Sequence, residues 1–177
     1  MRAELEKVMP ERIVVVQGDI TRQSVDIIVN AANTTLLGGG GVDGAIHRAA
    51  GPKLLAACRL LAGANTGEAK LTDGFELPCR WVAHTPGPVW SGGHQGEDDL
   101  LAASYRSCFA LAAEVGASSI AFPAISTGAY RFPKVRACRI AVTEARAAIT
   151  ARPELRVLFV CFSETDAQLY RDMLEQQ

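Results

Sequence analysis

Gly38, Gly39, Gly40 and Gly41, followed by Val42, Asp43 and Gly44, form the segment best suited to chemistry. Glycine lets backbone N–H groups turn inward with no Cβ in the way, and a helix beginning near Asp43 to Ile46 adds the partial positive charge of its amino terminus. Together these make a phosphate site. A flexible surface turn is the plain alternative, although such a turn would carry the chain entropy of consecutive glycines for no gain. Asn30 and Asn33 lie just upstream, after a buried strand, and a carboxamide both donates and accepts, which suits a pair of ribose hydroxyls. Asp43 either caps the helix or serves the chemistry. His47, one helical turn on, reads as a packing histidine with no partner in view, and His84 and His94 have no stronger claim.

A second small-residue loop, Ser126, Thr127, Gly128, Ala129 and Tyr130, also follows a buried strand. Its backbone donors could close over a diphosphate from the side opposite the glycines, giving a clamp. Asp19 stands at the carboxyl end of another strand, where ligands of open α/β sheets gather, but Gly-Asp is equally a common turn pair.

The spacing Gly39-x-Gly41-x-x-Gly44 formally matches the dinucleotide fingerprint. Its context does not. In a dinucleotide fold the first glycine sits directly after the strand, whereas here the strand is expected to end near Asn30. No second strand ending in an acidic residue follows at the required distance, where the chain reads Ala62-Gly-Ala-Asn-Thr-Gly67. A triphosphate P-loop fails because no Lys-Ser or Lys-Thr follows the glycines.

The elements that must hold these loops begin with Ile13 to Val16, Ile27 to Val29, Trp81 to Ala83, Ile120 to Phe122 and Val157 to Cys161, which are short, nearly continuous apolar runs. Such runs predict strands covered on both faces, with Ala69 to Thr72 a weaker sixth. Leu101, Tyr105, Cys108, Ala112 and Val115 recur at helical spacing, as do Val135, Cys138, Val142, Ala145 and Ile149. A last helix starts at Ser163, with Asp166 three residues on and Leu169, Tyr170, Met173 and Leu174 inward. Alternating strands and helices predict a three-layer α/β/α sandwich around a mixed, largely parallel sheet of about six strands. Residues 33–44 and 85–96 interrupt the pattern as long loops, a length often associated with function.

At 177 residues and 49% hydrophobic composition the chain can bury one core, and a single domain over 1–177 is expected. A net charge of −1 supplies no excess of cations to neutralise a run of phosphates, which disfavours extended nucleic-acid binding. The start, Met1-Arg-Ala-Glu-Leu-Glu-Lys7, lacks a signal-peptide pattern, and no apolar run approaches the roughly 20 residues of a membrane span. A soluble cytoplasmic protein with no membrane partner is expected. Five cysteines without a C-x-x-C pair, and without histidine at ligand spacing, predict free thiols and no metal.

Gln17-Gly-Asp-Ile-Thr21, Val25-Asp-Ile-Ile-Val-Asn-Ala-Ala-Asn33, residues 38–44 with Ala45-Ile-His-Arg-Ala-Ala-Gly51, and Phe122-Pro-Ala-Ile-Ser-Thr-Gly128 together resemble a macro domain. The likeness is to the MacroD-like class and to bacterial O-acetyl-ADP-ribose deacetylases. Thr66-Gly67, His84-Thr-Pro-Gly-Pro-Val-Trp90 and Cys161-Phe-Ser-Glu-Thr-Asp166 extend it over nearly the whole chain. Arg131 departs from the pattern, which usually has glycine there.

The resemblance implies ADP-ribose or O-acyl-ADP-ribose as ligand, with mono-ADP-ribosylated proteins as further partners and no cofactor. It implies that Asp19, with the Ile20 backbone beside it, receives the adenine amino group and that Phe162 packs on the ring, although a core phenylalanine is the ordinary reading of Phe162. Gly39, Gly40, Gly41 and Val42 would hold the diphosphate against Ser126, Thr127, Gly128 and Ala129, with Tyr130 bordering the distal ribose. Asn33 would contact that ribose and be needed for turnover, while Asn30 more often shapes the loop. Asp43 is assigned to a water that attacks an acyl or anomeric carbon. A carboxylate is a weak base at neutral pH and a helix amino terminus steadies its charge, so Asp43 is expected to orient water more than to deprotonate it. The implied activity is hydrolysis of O-acetyl-ADP-ribose, of ADP-ribose esters on acidic side chains, or of both. The rivals are a non-catalytic ADP-ribose reader and, from another class, an RNA-binding domain.

Overall fold

The computed structural model describes residues 12–176; the segment 1–7, considered above for a targeting signal, lies outside them. The elements are β1 (Ile13–Gln17), a 3-10 turn (Ile20–Arg22), β2 (Val25–Ala32), α1 (Gly41–Ala50), α2 (Pro52–Leu61), β3 (Lys70–Asp73), β4 (Cys79–Pro86), α3 (Glu97–Glu114), β5 (Ser119–Phe122), α4 (Lys134–Ala151), β6 (Arg156–Cys161) and α5 (Glu164–Glu175). The six strands lie in the order β1-β6-β5-β2-β4-β3. All neighbours run parallel except β3, which pairs antiparallel with β4 at one edge.

Period-two geometry explains the three layers. Ile27, Val29, Ala83, Ile120, Phe122, Val157 and Phe159 point to one face, where Leu101, Tyr105 and Cys108 of α3, Cys138 and Val142 of α4 and Tyr170 of α5 meet them. Ile28, Val82, Ala121, Leu158 and Val160, each one residue out of phase, point to the other face, against Ile46 of α1 and Leu54 and Cys58 of α2. A continuous apolar run is what a strand needs when both faces are covered, and full burial of each such side chain contributes about 1.5–3 kcal/mol.

Several expected boundaries move. β2 runs on to Ala32 and β4 to Pro86, so Asn30 and Thr85 are strand residues and the long loop before α3 begins at Gly87. Their register, with Asn30 opposite His84 and Ala31 opposite Thr85, carries the parallel ladder beyond the apolar runs. Helix α2 forms where periodicity assigned nothing, because the leucines of 52–61 fall on more than one side: Leu54 is buried and Leu60 exposed. Its start follows Gly51 at φ 84°, with Pro52 in the first turn. Val135, expected on the inner stripe of α4, faces solvent, and Ala137 and Ala141 pack inward. Ser163 caps α5 as expected, accepting from the Asp166 N–H at 3.1 Å. Among the described residues no helix is long and apolar enough to cross a membrane.

Candidate functional site

The chain after β2 leaves toward the α1 face, whereas the chain after β5 leaves toward the α4 face. These two strands are neighbours, so their carboxyl ends open a crevice at the point where the direction of winding reverses. A cleft of about 510 Å³ lies there. Ala31, Ala32, Pro123, Ala124, Ile125 and Val160 form its floor, at the ends of β2, β5 and β6. Gly39, Gly40, Gly41, Val42 and Asp43 form one wall; Ser126, Thr127, Gly128, Ala129 and Tyr130 form the other.

The first wall leads straight into α1, whose N-cap is Gly40 and which has no side-chain cap among the described residues. Its first N–H groups therefore remain available to an anion and carry the positive end of the helix dipole. Open space beside Gly40 and Gly41 is the room such a ligand needs. Gly44 is required for a different reason, since a Cβ there would stand 2.6 Å from the Gly39 carbonyl oxygen. Its absence lets the loop fold back onto the helix.

Asn33 shapes this wall more than expected. Its Oδ1 accepts from the Thr35 N–H at 3.1 Å, from the Thr35 hydroxyl at 2.6 Å and from the Leu36 N–H at 3.2 Å. Its Nδ2 donates to the Gly38 carbonyl at 2.9 Å. Only the second N–H remains to reach the cleft, so Asn33 can donate to a ribose hydroxyl but has no acceptor to spare. Asn30 departs further from expectation: it is 1% exposed, lies beneath the cleft and lines none of it. Its Nδ2 donates instead to Asp43 Oδ1 at 2.8 Å.

Asp43 is 5% exposed and still reaches the cleft, with Oδ2 on the side of Gly39. His47 packs under Gly38, as expected of a packing histidine, with Nε2 3.4 Å from Asp43 Oδ1 and no aligned hydrogen bond among the described residues. His84 is fully buried below Asn30, and His94 is exposed.

The second wall is a tight turn. Ser126 and Arg131 both adopt left-handed backbone, at φ 67° and 60°. That conformation is why glycine suits position 131; the arginine accepts it with its side chain in solvent. Phe132 donates its N–H to the Ser126 carbonyl at 2.9 Å, and Arg131 to that of Gly128 at 3.0 Å. The segment before α3 braces the turn from outside. Trp90 donates its N–H to the Tyr130 carbonyl at 2.8 Å and packs on Phe132. Arg136 lies over the Trp90 ring and clasps Asp98 through two bonds of 2.7 Å. Buried Glu97 accepts from the N–H groups of Ser91, Gly93 and Gln95. Burial works to raise its carboxyl, but these donors prevail and hold it down to about 2.

At the far end, Phe162 is 92% exposed on the cleft wall, which rules out the core reading. Asp166 joins it there, paired with Lys134 at 2.9 Å, a neighbour that sequence patterning had placed only in a helix start. Asp19 and Ile20 do not line the cleft. Asp19 Oδ1 accepts from the Thr21 N–H and hydroxyl at 2.9 and 2.7 Å, and Ile20 is buried in the core. Their turn nonetheless adjoins Phe162, because Gly18 donates its N–H to the Cys161 carbonyl at 2.9 Å. The cysteines are free; burial pushes the Cys58, Cys79 and Cys161 thiols up to about 11, which keeps them protonated. Among the described residues no group of His, Cys, Asp and Glu is placed to hold a metal ion.

A three-layer α/β/α domain with a cleft at the winding reversal, walled by a helix start that has no side-chain cap among the described residues, is the class that fold and site define. A family model for the macro domain matches residues 29–141. A macro domain-containing protein of Chlorobaculum tepidum is 53% identical over 169 residues, 94% of this chain and 98% of its own. A Salmonella gallinarum protein named O-acetyl-ADP-ribose deacetylase is 53% identical over 175 residues, 96% of this chain and 97% of its own. The Oceanobacillus iheyensis macrodomain solved with ADP superposes with a TM-score of 0.87 at 43% identity, covering 91% of this chain and 88% of that one. The Trypanosoma brucei macrodomain in complex with ADP-ribose gives 0.87 at 44% identity, covering 92% and 69%. The chain belongs to the macro domain family.

Proposed function

We propose that this protein binds ADP-ribose in the cleft and hydrolyses an ester carried on the distal ribose. The observation that carries the proposal is Asp43: a buried carboxylate, tied through one oxygen to Asn30, with its other oxygen beside the glycine wall of a nucleotide-sized cleft. In this reading the diphosphate lies between residues 39–42 and 126–129, over the amino terminus of α1. Adenine packs on Phe162 near the Asp19 turn, and Asn33 donates to the distal ribose beside Tyr130. The ADP and ADP-ribose held by similar macrodomains support that placement. The deacetylase names of some relatives support the choice of an acyl ester.

Asp43 Oδ2 holds a water against the acyl carbon. The water oxygen bonds to that carbon, the bond from the carbon to the ribose oxygen breaks, and the departing oxygen takes up a proton, giving carboxylate and ADP-ribose. The ligand's own phosphate shares the base role, and the N–H groups of the glycine wall support developing charge. No metal enters this scheme.

Incubation with O-acetyl-ADP-ribose in a chelating buffer, followed for acetate, beside calorimetric titration with ADP-ribose, tests the proposal. Asp43→Ala is expected to lower turnover about 100-fold or more while keeping ADP-ribose binding. Gly40→Glu is expected to lose both, because it puts a bulky anion into the space left for phosphate. Binding without acetate release by the wild type would make the protein a reader of ADP-ribose instead.

A further inference from the structure

Beneath the cleft the Asp43–Asn30 pair continues into a row of buried polar groups, His84, Thr72 and Cys58, that the hydrolytic scheme does not use. His84 on β4 is fully buried, and parallel register sets it beside Asn30 on β2, both on the α1 side of the sheet. Asn30 Nδ2 stands 2.8 Å from Asp43 Oδ1 and 3.2 Å from His84 Nδ1. His84 Nε2 meets Thr72 Oγ1 at 2.9 Å, with Cys58 Sγ 3.7 Å away.

A carboxamide nitrogen carries two N–H groups, enough to serve both the carboxylate and the ring that lie within bonding distance of it here, while Asn30 Oδ1 has no hydrogen-bond partner among the described residues. The second bond exists only while Nδ1 is unprotonated, so the ring proton resides on Nε2 and is donated to Thr72. Protonation of Nδ1 would turn the Asn30 oxygen toward the ring. The same rotation would remove the donor from Asp43 and set acceptor against acceptor. One torsion thus couples the imidazole to the carboxylate.

We propose that His84 is a positioning residue for Asp43: its unprotonated Nδ1 fixes the Asn30 carboxamide, which pins Asp43 Oδ1 and leaves Oδ2 to the cleft. The kinetic consequence rests on the hydrolytic reading above. Burial, with the charge of His47 adding to it, holds the His84 ring down to about 3 and so neutral at physiological pH. Cys58, the other titratable group against the ring, stays a thiol, pushed up to about 11 by burial and by the charge of Asp43. His47 Nε2 stands within ion-pair distance of the same carboxylate oxygen, at 3.4 Å, but makes no aligned hydrogen bond to it, so it acts on that oxygen without directing it.

Steady-state hydrolysis of O-acetyl-ADP-ribose and ADP-ribose calorimetry on His84→Leu and His84→Asn test the proposal. His84→Leu, which removes the acceptor, is expected to lower kcat about 10- to 100-fold with ADP-ribose affinity unchanged, the scale on which small misplacements act. His84→Asn can present an oxygen near the former Nδ1 and is expected to recover most of that loss. Full kcat in His84→Leu overturns the proposal, as does a loss of ADP-ribose affinity equal to the loss of kcat. Long-range proton–nitrogen spectra of the wild type supply a readout independent of the variants' folding: protonated Nε2 with bare Nδ1 is expected, and the reverse tautomer overturns it. A wild type that hydrolyses no ester defeats the reading of Asp43 as catalytic, and the spectra still judge the Asn30–His84 contact.

Discussion

The two walls of the cleft are held by opposite means. Residues 38–44 are held from beneath by side chains: Asn33 gathers the loop around its carboxamide, and Asp43 is tied to Asn30, which is tied to His84. Residues 126–131 are held by backbone bonds, with two residues in left-handed conformation and a brace from the Trp90 segment. A buried polar network fixes one carboxylate oxygen through the Asn30 carboxamide, which is what hydrolysis requires. A backbone turn fixes only a surface of N–H groups, which is enough to hold a phosphate.

Crowding the first wall should have the largest effect. In Gly44→Ala the new Cβ stands 2.6 Å from the Gly39 carbonyl oxygen, a backbone atom that clears it only if the loop itself shifts. A loss of about 3 kcal/mol in stability is expected, with ADP-ribose binding lost as the loop is pushed off α1. In Gly87→Ala the added methyl overlaps Ser126 Oγ and stands 2.6 Å from Ile125 Cγ2. The serine hydroxyl can turn to another rotamer, while buried, β-branched Ile125 can clear the methyl only by shifting among its neighbours, so a somewhat smaller loss of about 2 kcal/mol is expected, with weakened binding. Urea midpoints and calorimetry measure both; a larger stability loss in Gly87→Ala than in Gly44→Ala would reverse the comparison.

Acid should separate the walls by pH. His84 beneath the first wall is depressed from its ordinary 6.5 to about 3, so the unfolded chain takes up its proton first and stability is lost as pH falls from 6.5 toward 3. Glu97 behind the second wall is depressed from 4.5 to about 2, and by the same sign its contribution is intact above 4.5 and lost as pH falls toward 2. Hydrogen exchange between pH 6.5 and 4.5, corrected for intrinsic rates, is therefore expected to quicken at the bonded amides of the first wall, Leu36 and Gly44, while the amides of Ser91, Gly93 and Gln95 keep their protection. Loss of protection at those three amides first would break the assignment. In Glu97→Gln the later acid step should disappear.

Much of this contrast was legible in the sequence, and its limits have physical causes. Glycines announce a backbone that must turn or admit a ligand, so both walls could be placed, but α1 begins at Gly41 with Gly40 as its N-cap, ahead of the expected start near Asp43 to Ile46, and Asp43 lies in the first turn and does not cap the helix. Ser163 announced its helix because a cap is a local bond. His84 could not be read this way: its role depends on register with Asn30, 54 residues earlier, and an isolated histidine between apolar residues carries no mark of its partner. Asn33 takes on the loop-shaping part expected of Asn30 for a related reason. Extending β2 by polar residues buried Asn30 and left Asn33 at the first loop position, where its acceptor is consumed by the turn.

Arg131 gives the smallest effect and the sharpest test of how the second wall is held. A left-handed residue with a Cβ costs roughly 1–2 kcal/mol, whereas a glycine costs roughly 0.5–1 kcal/mol in chain entropy. Arg131→Gly is therefore expected to stabilise the protein by about 0.5–1 kcal/mol, read as a higher urea midpoint with unchanged slope. The Arg131 side chain is in solvent and outside the cleft wall, so ADP-ribose affinity should not change. A fall in affinity would mean that the guanidinium reaches the diphosphate, and the second wall would then owe part of its hold to a side chain after all.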